Sequence, residues 1–157
     1  MKYSDNILAD RIRSFHAASE VAYHDVSDVD LSEFPIYASS RMTYVRLLLP
    51  RILGDIDFVI YADVDILWLD DIGRLWSLRN GVNLFGCARD PSRGTVEMER
   101  RWFEANGLEF DDSRYFCAGI SLYNLREIRR RNAFEQVWEF GRRYKRMRCC
   151  DQTMMYA

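Results

Sequence analysis

The sequence predicts an α/β layered fold with a mostly parallel central sheet. Strand-like apolar runs alternate with helix-like segments along the chain, which is the pattern of such folds. Hydrophobic residues make up 48% of the 157 residues, enough for one sizeable core. No repeat, low-complexity tract or linker interrupts the alternation. We therefore expect residues 1–157 to form a single domain that binds ligands beyond the carboxyl ends of its strands.

Two helices and two strands are expected in the first part of the chain. Residues 4–6 offer capping side chains for a helix to about residue 18. Residues 21–26 predict a strand, which a polar stretch at residues 27–30 ends. Ser39 or Ser40 caps a second helix through Ile52, and Pro50 is expected to kink or stop it. Phe58–Ala62 is β-branched and aromatic, which predicts a fully buried strand.

The alternation continues through the second part of the chain. Residues 70–73 cap a short helix, and residues 83–88 form a second buried strand. A helix is expected around residues 96–106, followed by a strand over residues 115–123. Residues 125–148 are predicted to be helical in two pieces that split near Asn132.

Charge and cysteine content exclude several functional classes. The net charge of −2 gives no basic field for nucleic acid, and no apolar run reaches the ~18 residues of a membrane span. Four cysteines with neither zinc-cluster nor disulfide spacing indicate reduced thiols in the cytoplasm. A basic cluster at residues 142–148 allows at most peripheral contact with an anionic membrane face, although a solvated helix face is the simpler interpretation. An incomplete sheet edge leaves oligomerisation open.

Asp63 and Asp65 directly follow the predicted strand Phe58–Ala62. Side chains two apart along a strand point the same way, so both carboxylates are expected together at its carboxyl end. A hard divalent cation would relieve their repulsion and could clamp a diphosphate. The alternative is that one aspartate caps a helix and the other faces solvent. The same spacing recurs in polar stretches at residues 28–30 and 55–57, so the tripeptide alone is weak evidence.

Four sequence blocks resemble glycosyltransferase family 8, which includes the glycogenins and bacterial lipopolysaccharide galactosyl- and glucosyltransferases. Residues 43–47 read Thr-Tyr-Val-Arg-Leu and residues 61–67 read Tyr-Ala-Asp-Val-Asp-Ile-Leu. Residues 115–126 contain Tyr-Phe-Cys-Ala-Gly-Ile and Asn-Leu-Arg, and residues 151–152 are Asp-Gln. The blocks occur in the order that the family shows. The resemblance implies a GT-A-like (Rossmann-like) three-layer fold and a hexosyltransferase that retains anomeric configuration.

The resemblance also implies ligands and residue roles. It implies a nucleotide-diphospho-sugar donor, expected to be a UDP-hexose, a glycan or lipopolysaccharide acceptor, and Mn²⁺ or Mg²⁺. The implied metal ligands are Asp63 and Asp65. The implied donor-binding residues are Arg46, Asp63, Cys117 and Gly119. The implied catalytic residues, which contact the reacting sugar, are Asp90, Asp151 and Gln152.

The sequence departs from the family pattern at several points. Cys117 stands where the family has asparagine, and Thr153 replaces the second aspartate of the Asp-Gln-Asp segment. The family's first strand–helix–strand unit and its C-terminal histidine-containing segment have no counterpart in these residues, so we expect the domain to be partial.

Two alternatives to a transferase stay open from the sequence. One is a catalytically inactive remnant with a binding role, which the departures favour. The other is a phosphohydrolase of the haloacid-dehalogenase type, in which Asp63 would be the nucleophile. That class continues its motif with glycine or threonine, whereas Ile66 follows Asp65 here.

Overall fold

The computed structural model describes residues 10, 11, 14, 20–34, 36, 40–144 and 146–157. In chain order the elements are a 3₁₀ helix Met42–Leu48, α1 Leu49–Ile52, β1 Phe58–Ala62, α2 Ile72–Ser77, a 3₁₀ turn Arg79–Gly81, β2 Phe85–Arg89, α3 Arg93–Ala105, a 3₁₀ turn Asp112–Arg114, β3 Phe116–Asn124, α4 Leu125–Arg130, α5 Ala133–Arg143 and α6 Cys150–Tyr156. Within the described ranges no helix is long and apolar enough to cross a membrane.

The three strands form one sheet in the order β1-β3-β2. β3 pairs antiparallel with both neighbours, so the prediction of a mostly parallel sheet is wrong for the described strands. β1 and β2 run in the same direction, as expected, but β3 lies between them in the opposite direction. An apolar run does not encode strand direction, which is why the sequence could not predict this topology. The predicted burial is also wrong, since β1 is half-buried throughout and β2 is half-buried at its start and exposed at its end.

Three of the later helices begin after a residue whose side chain caps them. Asp71 caps α2 by accepting a hydrogen bond from the Gly73 amide, and Ser92 caps α3 in the same way through Thr95. Asn124 caps α4. The predicted split near Asn132 is confirmed, since α4 ends at Arg130 and α5 begins at Ala133.

Three predictions in the first part of the chain need correction or lie outside the described residues. Residues 21–26 form no strand, since no strand of the described sheet pairs with them. Asp25 accepts the Ser27 amide at 2.9 Å, which turns the chain at the end of this segment. The second helix is a 3₁₀ helix that continues into α1, and Pro50 sits in the first turn of α1 instead of ending it. Of the predicted N-terminal helix, residues 10, 11 and 14 are helical, and the rest lies outside the described residues.

The core lies on the face of the sheet that the 3₁₀ helix and α4–α6 cover. Its centre is aromatic: the ring centroids of Phe34 and Trp138 lie 4.7 Å apart, and those of Phe34 and Tyr44 lie 5.1 Å apart. α6, which the sequence did not predict, contributes Met154 and Met155 to this core. Because these elements pack against the sheet, the predicted site residues that they carry are held together at one edge of it.

Gly141 lies on the buried side of α5, where a side chain has no room. A Cβ there would lie 2.4 Å from the terminal methyl of Met154 and 2.9 Å from a ring carbon of Phe34. Overpacking costs about 1–3 kcal/mol, which outweighs the roughly 1 kcal/mol that alanine adds as a helix former. Gly141→Ala is therefore expected to lower the free energy of unfolding in urea. Gly54→Ala is the control, because no atom lies within 4 Å of its new Cβ; equal effects at both positions would contradict the packing argument.

Candidate functional site

A cavity of about 280 Å³ opens at the edge of the sheet where β1 and β2 end. Every site residue predicted from the sequence lines it except Asp65. The predicted residues that line the cavity are Arg46, Asp63, Asp90, Cys117, Gly119, Asp151 and Gln152. The cavity thus lies beyond the carboxyl ends of β1 and β2, where the sequence predicts the site.

Arg46 is the centre of the cavity wall, and its side chain is only 6% exposed. Its guanidinium forms ion pairs with Asp63 at 3.0 Å and with Asp151 at 2.9 Å. It also donates to the carbonyl of Ala118 and lies over the ring of Tyr61, 4.5 Å from the centroid. A planar fork with five donors suits this task in a way that a lysine ammonium would not. Sequence reasoning missed that Arg46 holds other site residues in place.

Burial and these neighbours act on the pKa values of the cluster in opposite directions. Burial works to lower the pKa of Arg46, but Asp151, Tyr61 and Asp63 outweigh it, so the pKa is raised and the guanidinium stays charged. Burial raises the pKa of Asp151 above its ordinary value, against the opposing effects of Arg46 and Thr43. Burial also raises the pKa of Tyr61, whose hydroxyl therefore stays protonated and acts as a donor.

Asp63 is the half-exposed member of the cluster. The Tyr61 hydroxyl donates to its Oδ1 at 2.6 Å, and its backbone amide donates to the carbonyl of Gly119 at 2.8 Å. A Cβ at Gly119 would lie 3.1 Å from Asp63 Oδ2, so the glycine keeps the space beside that oxygen open. Asp63 is therefore oriented from one side and accessible from the other.

Asp65 does not share this environment. The strand ends at Ala62, and the carbonyl of Asp63 accepts the Ile66 amide at 3.2 Å, which makes a turn. Strand alternation therefore does not extend to Asp65, and the geometric reason given above for placing the two carboxylates together is wrong. Asp65 is exposed and does not line the cavity. Its role as a metal ligand stays a prediction.

Gln152 joins three elements at the other side of the cavity. Its amide oxygen accepts the Ala118 backbone amide at 3.0 Å, and its amide nitrogen donates to Asp90 at 3.1 Å. Asp90 is held in turn by the Ser92 amide at 2.8 Å. The amide group of Gln152 thus links α6 to β3 and to the loop that follows β2.

Thr43, Thr95 and Cys149 also line the cavity and were not predicted. The Thr43 hydroxyl donates to Asp151. Its position three residues before Arg46, on the same side of a helical segment, is the signal that could have found it. Cys149 and Thr95 carry no comparable signal in the sequence.

The model of glycosyl transferase family 8 matches residues 6–157. The chain therefore belongs to this family, and the resemblance seen in its motifs is confirmed. The match decides against the phosphohydrolase alternative.

Curated relatives support the same assignment. The chain is similar to a Haemophilus influenzae protein that carries a glycosyltransferase name, with 29% identity over 87% of this chain and 41% of the relative. It is also similar to glucoside xylosyltransferase 1 of Danio rerio, with 24% identity over 78% of this chain and 36% of the relative. The chain thus spans about two fifths of the length of these relatives.

Solved structures confirm the fold class. The galactosyltransferase LgtC, in a complex with donor and acceptor sugar analogues, matches with a TM-score of 0.64 and 31% identity over 79% of this chain and 44% of LgtC. Mouse xyloside xylosyltransferase 1 matches in fold, with a TM-score of 0.60 and 16% identity over 96% of this chain and 55% of that protein. The architecture is α/β and GT-A-like.

Arg46→Met would leave Asp63 and Asp151 without their shared counter-charge. Removing one partner of a buried ion pair costs about 3–5 kcal/mol, and urea denaturation at pH 7 should show a loss of that order. The loss should shrink as the pH falls, because the Asp151 carboxyl, whose pKa burial raises, needs no counter-charge once it is protonated. Arg51→Met removes an exposed pair with Glu135 and should change stability little. A loss independent of pH would contradict the electrostatic account.

Cys149 is expected to react slowly with alkylating reagents. Burial, together with the Glu99 carboxyl, raises the pKa of its thiol to about 12. At pH 8 the thiolate is therefore roughly a thousandfold rarer than in an ordinary cysteine. Iodoacetamide labelling followed by peptide mass spectrometry should show slow labelling of Cys149 in the native protein and fast labelling in urea. Equal rates in the two states would contradict this environment.

Proposed function

We propose that this chain binds a nucleotide-diphospho-sugar, a UDP-hexose in the first instance, and transfers the hexosyl group to a glycan or lipopolysaccharide acceptor. Membership of glycosyl transferase family 8 supports the reaction class. The LgtC complex with donor and acceptor sugar analogues supports the substrate classes, because that protein is 31% identical to this chain.

The observation that carries the proposal is the environment of Asp63. Arg46 and Tyr61 orient this carboxylate, and the absent side chain of Gly119 leaves room beside its Oδ2. The cavity wall carries an excess of negative charge, because Arg46 is paired with two carboxylates, Asp63 and Asp151. A phosphate group would not be attracted to that excess without a cation.

Asp63 fits a divalent cation of the Mg²⁺ or Mn²⁺ type, because its Oδ2 has open space beside Gly119. No cluster of three or more metal-ligating side chains occurs among residues 40–144 and the other described ranges. Mg²⁺ is typically bound by one or two carboxylates together with substrate phosphates and water, and Asp63 with Asp65 would supply those carboxylates. When bound, the cation would neutralise charge on the departing nucleoside diphosphate.

The remaining polar residues are assigned to the donor sugar. Asp90 and Gln152 form one hydrogen-bonded pair, and Asp151 is paired with Arg46. We place these three around the reacting carbon and its hydroxyl groups. Cys117 and Gly119 form the strand segment along which the donor would lie, and Arg46 faces the same cavity.

We infer retention of anomeric configuration without a protein nucleophile. Asp151 is held by Arg46 and Thr43, and Asp90 is held by Gln152 and Ser92. Since both carboxylates already have protein partners, we assign the bond-forming step to the acceptor and to neither of them. The acceptor hydroxyl would form its bond to the anomeric carbon on the face from which the phosphate oxygen departs, and its proton would pass to that departing oxygen. Proton NMR of the product anomer tests the stereochemistry.

Thermal unfolding with sugar nucleotides tests donor and metal together. A ligand at about 100 times its Kd stabilises the native state by ~2.7 kcal/mol, so UDP-hexoses should raise the Tm of the wild type when Mn²⁺ is present. Asp63→Asn and Asp65→Asn should abolish the Mn²⁺-dependent rise, because each removes one carboxylate ligand. Asp55→Asn is the matched control, since Asp55 and Asp57 repeat the spacing outside the cavity.

The outcomes separate the remaining alternatives. A Tm rise without sugar transfer would favour the inactive binding role. The absence of any rise across a panel of nucleotide sugars would overturn the proposal. A Mn²⁺-dependent rise that survives in both Asp63→Asn and Asp65→Asn would overturn the metal assignment alone.

A further inference from the structure

A buried carboxyl group that the proposed chemistry does not use lies behind the cavity wall. Glu99, on α3, is 0% exposed. Its Oε2 accepts the Thr153 hydroxyl at 2.7 Å. The Cys149 thiol lies near the same carboxyl group, but the buried Oε1 has no hydrogen-bond partner of ordinary geometry among the described residues. Burying a carboxyl group without full hydrogen bonding is unfavourable. Because burial of the Glu99 carboxyl is unfavourable, this residue is a candidate for a specific structural role.

The helix that Glu99 contacts is poorly held by its own sequence. α6 has seven residues, and no side chain in the described part of the chain caps its N-terminus. Its first residue, Cys150, has a φ of 41°, a left-handed conformation that is unfavourable for a residue with a side chain. A helix of this length is not stable by itself. The placement of α6 therefore depends on its contacts with the rest of the molecule.

α6 also carries two residues of the candidate site. Asp151 contacts Arg46, and Gln152 contacts both Asp90 and the Ala118 amide. Thr153 follows directly and is completely buried on the side of Glu99. The hydrogen bond between Thr153 and Glu99 thus lies one residue from the amide group that links α6 to β3.

We propose that Glu99 is a positioning residue. Its hydrogen bond with Thr153 fixes α6 against α3 and thereby holds Gln152 between Asp90 and the Ala118 amide of β3. The mechanical part of this proposal stands on the contacts alone. Its consequence for sugar transfer rests on the proposed function.

Hydrogen exchange tests the mechanical part without any substrate. Thr153→Val keeps the shape of the side chain but removes the hydroxyl. We expect the Ala118 amide to exchange about tenfold faster in this variant, the order expected when one buried hydrogen bond is lost. The Asp63 amide, which donates to Gly119 in the same site, should be unchanged. Thr153→Ser, which keeps the hydroxyl, should behave like the wild type.

Two results would overturn the positioning role. One is an Ala118 amide that exchanges at the wild-type rate in Thr153→Val. The other is equal acceleration at Ala118 and Asp63, which would indicate general loosening. A double-mutant cycle with Glu99→Leu adds a second criterion. If the two residues act through each other, Thr153→Val should add no further acceleration in the Glu99→Leu background, and full additivity would contradict the link.

Steady-state kinetics test the consequence for transfer. Thr153→Val should lower kcat by about tenfold and change the KM for the donor by less than about threefold, because Gln152 faces the sugar and not the nucleotide. Thr153→Ser should restore kcat. An active wild type with an equally active Thr153→Val would overturn the catalytic consequence. A wild type without transfer would overturn the proposed function, and the exchange data would still decide the positioning role.

Discussion

The candidate site depends on one buried guanidinium. Arg46 contacts Asp63 after β1, Asp151 on α6 and the carbonyl of Ala118 in β3. Removing an arginine from water is costly, and two carboxylates with good geometry are what offset that cost. The same contacts bring together residues that are far apart in sequence. The excess of negative charge left in the cavity wall follows from this arrangement, because one cation holds two anions.

The sheet is built to make these contacts possible. β2 and β3 are in register at Cys87 and Ser121, but Ala88 pairs with Cys117, so a bulge separates the two pairs. Residues 118–120 of β3 therefore have no partners on β2. The backbone of Ala118 is free to donate to Gln152 and to accept from Arg46. A bulge that redirects backbone groups at a functional edge is a common device in sheets.

Sequence reasoning succeeded where the signal was local and failed where it was not. The cap at Asp71 and the strand Phe58–Ala62 depend on neighbouring residues, and both are confirmed, although this strand is half-buried and not fully buried as predicted. Strand direction, the bulge and the pairing of Gln152 with Asp90 depend on residues far away in the chain, and no local pattern encodes them. α6 was missed because it is short and has no cap. The family resemblance identified most of the residues that line the cavity, but it did not predict the contacts among them.

Asp63 and Asp65 differ in how far the protein orients their side chains before a ligand binds. Asp63 is held by Arg46 and Tyr61 before any ligand binds. Asp65 is exposed in a turn, and its side chain makes no hydrogen bond within the described residues. If both bind the cation, Asp65 must lose side-chain freedom on binding, and that entropy cost reduces the affinity for the cation alone. A sugar nucleotide that adds phosphate ligands would offset this cost. The arrangement thus favours a cation that binds together with its donor over one that resides permanently in the protein.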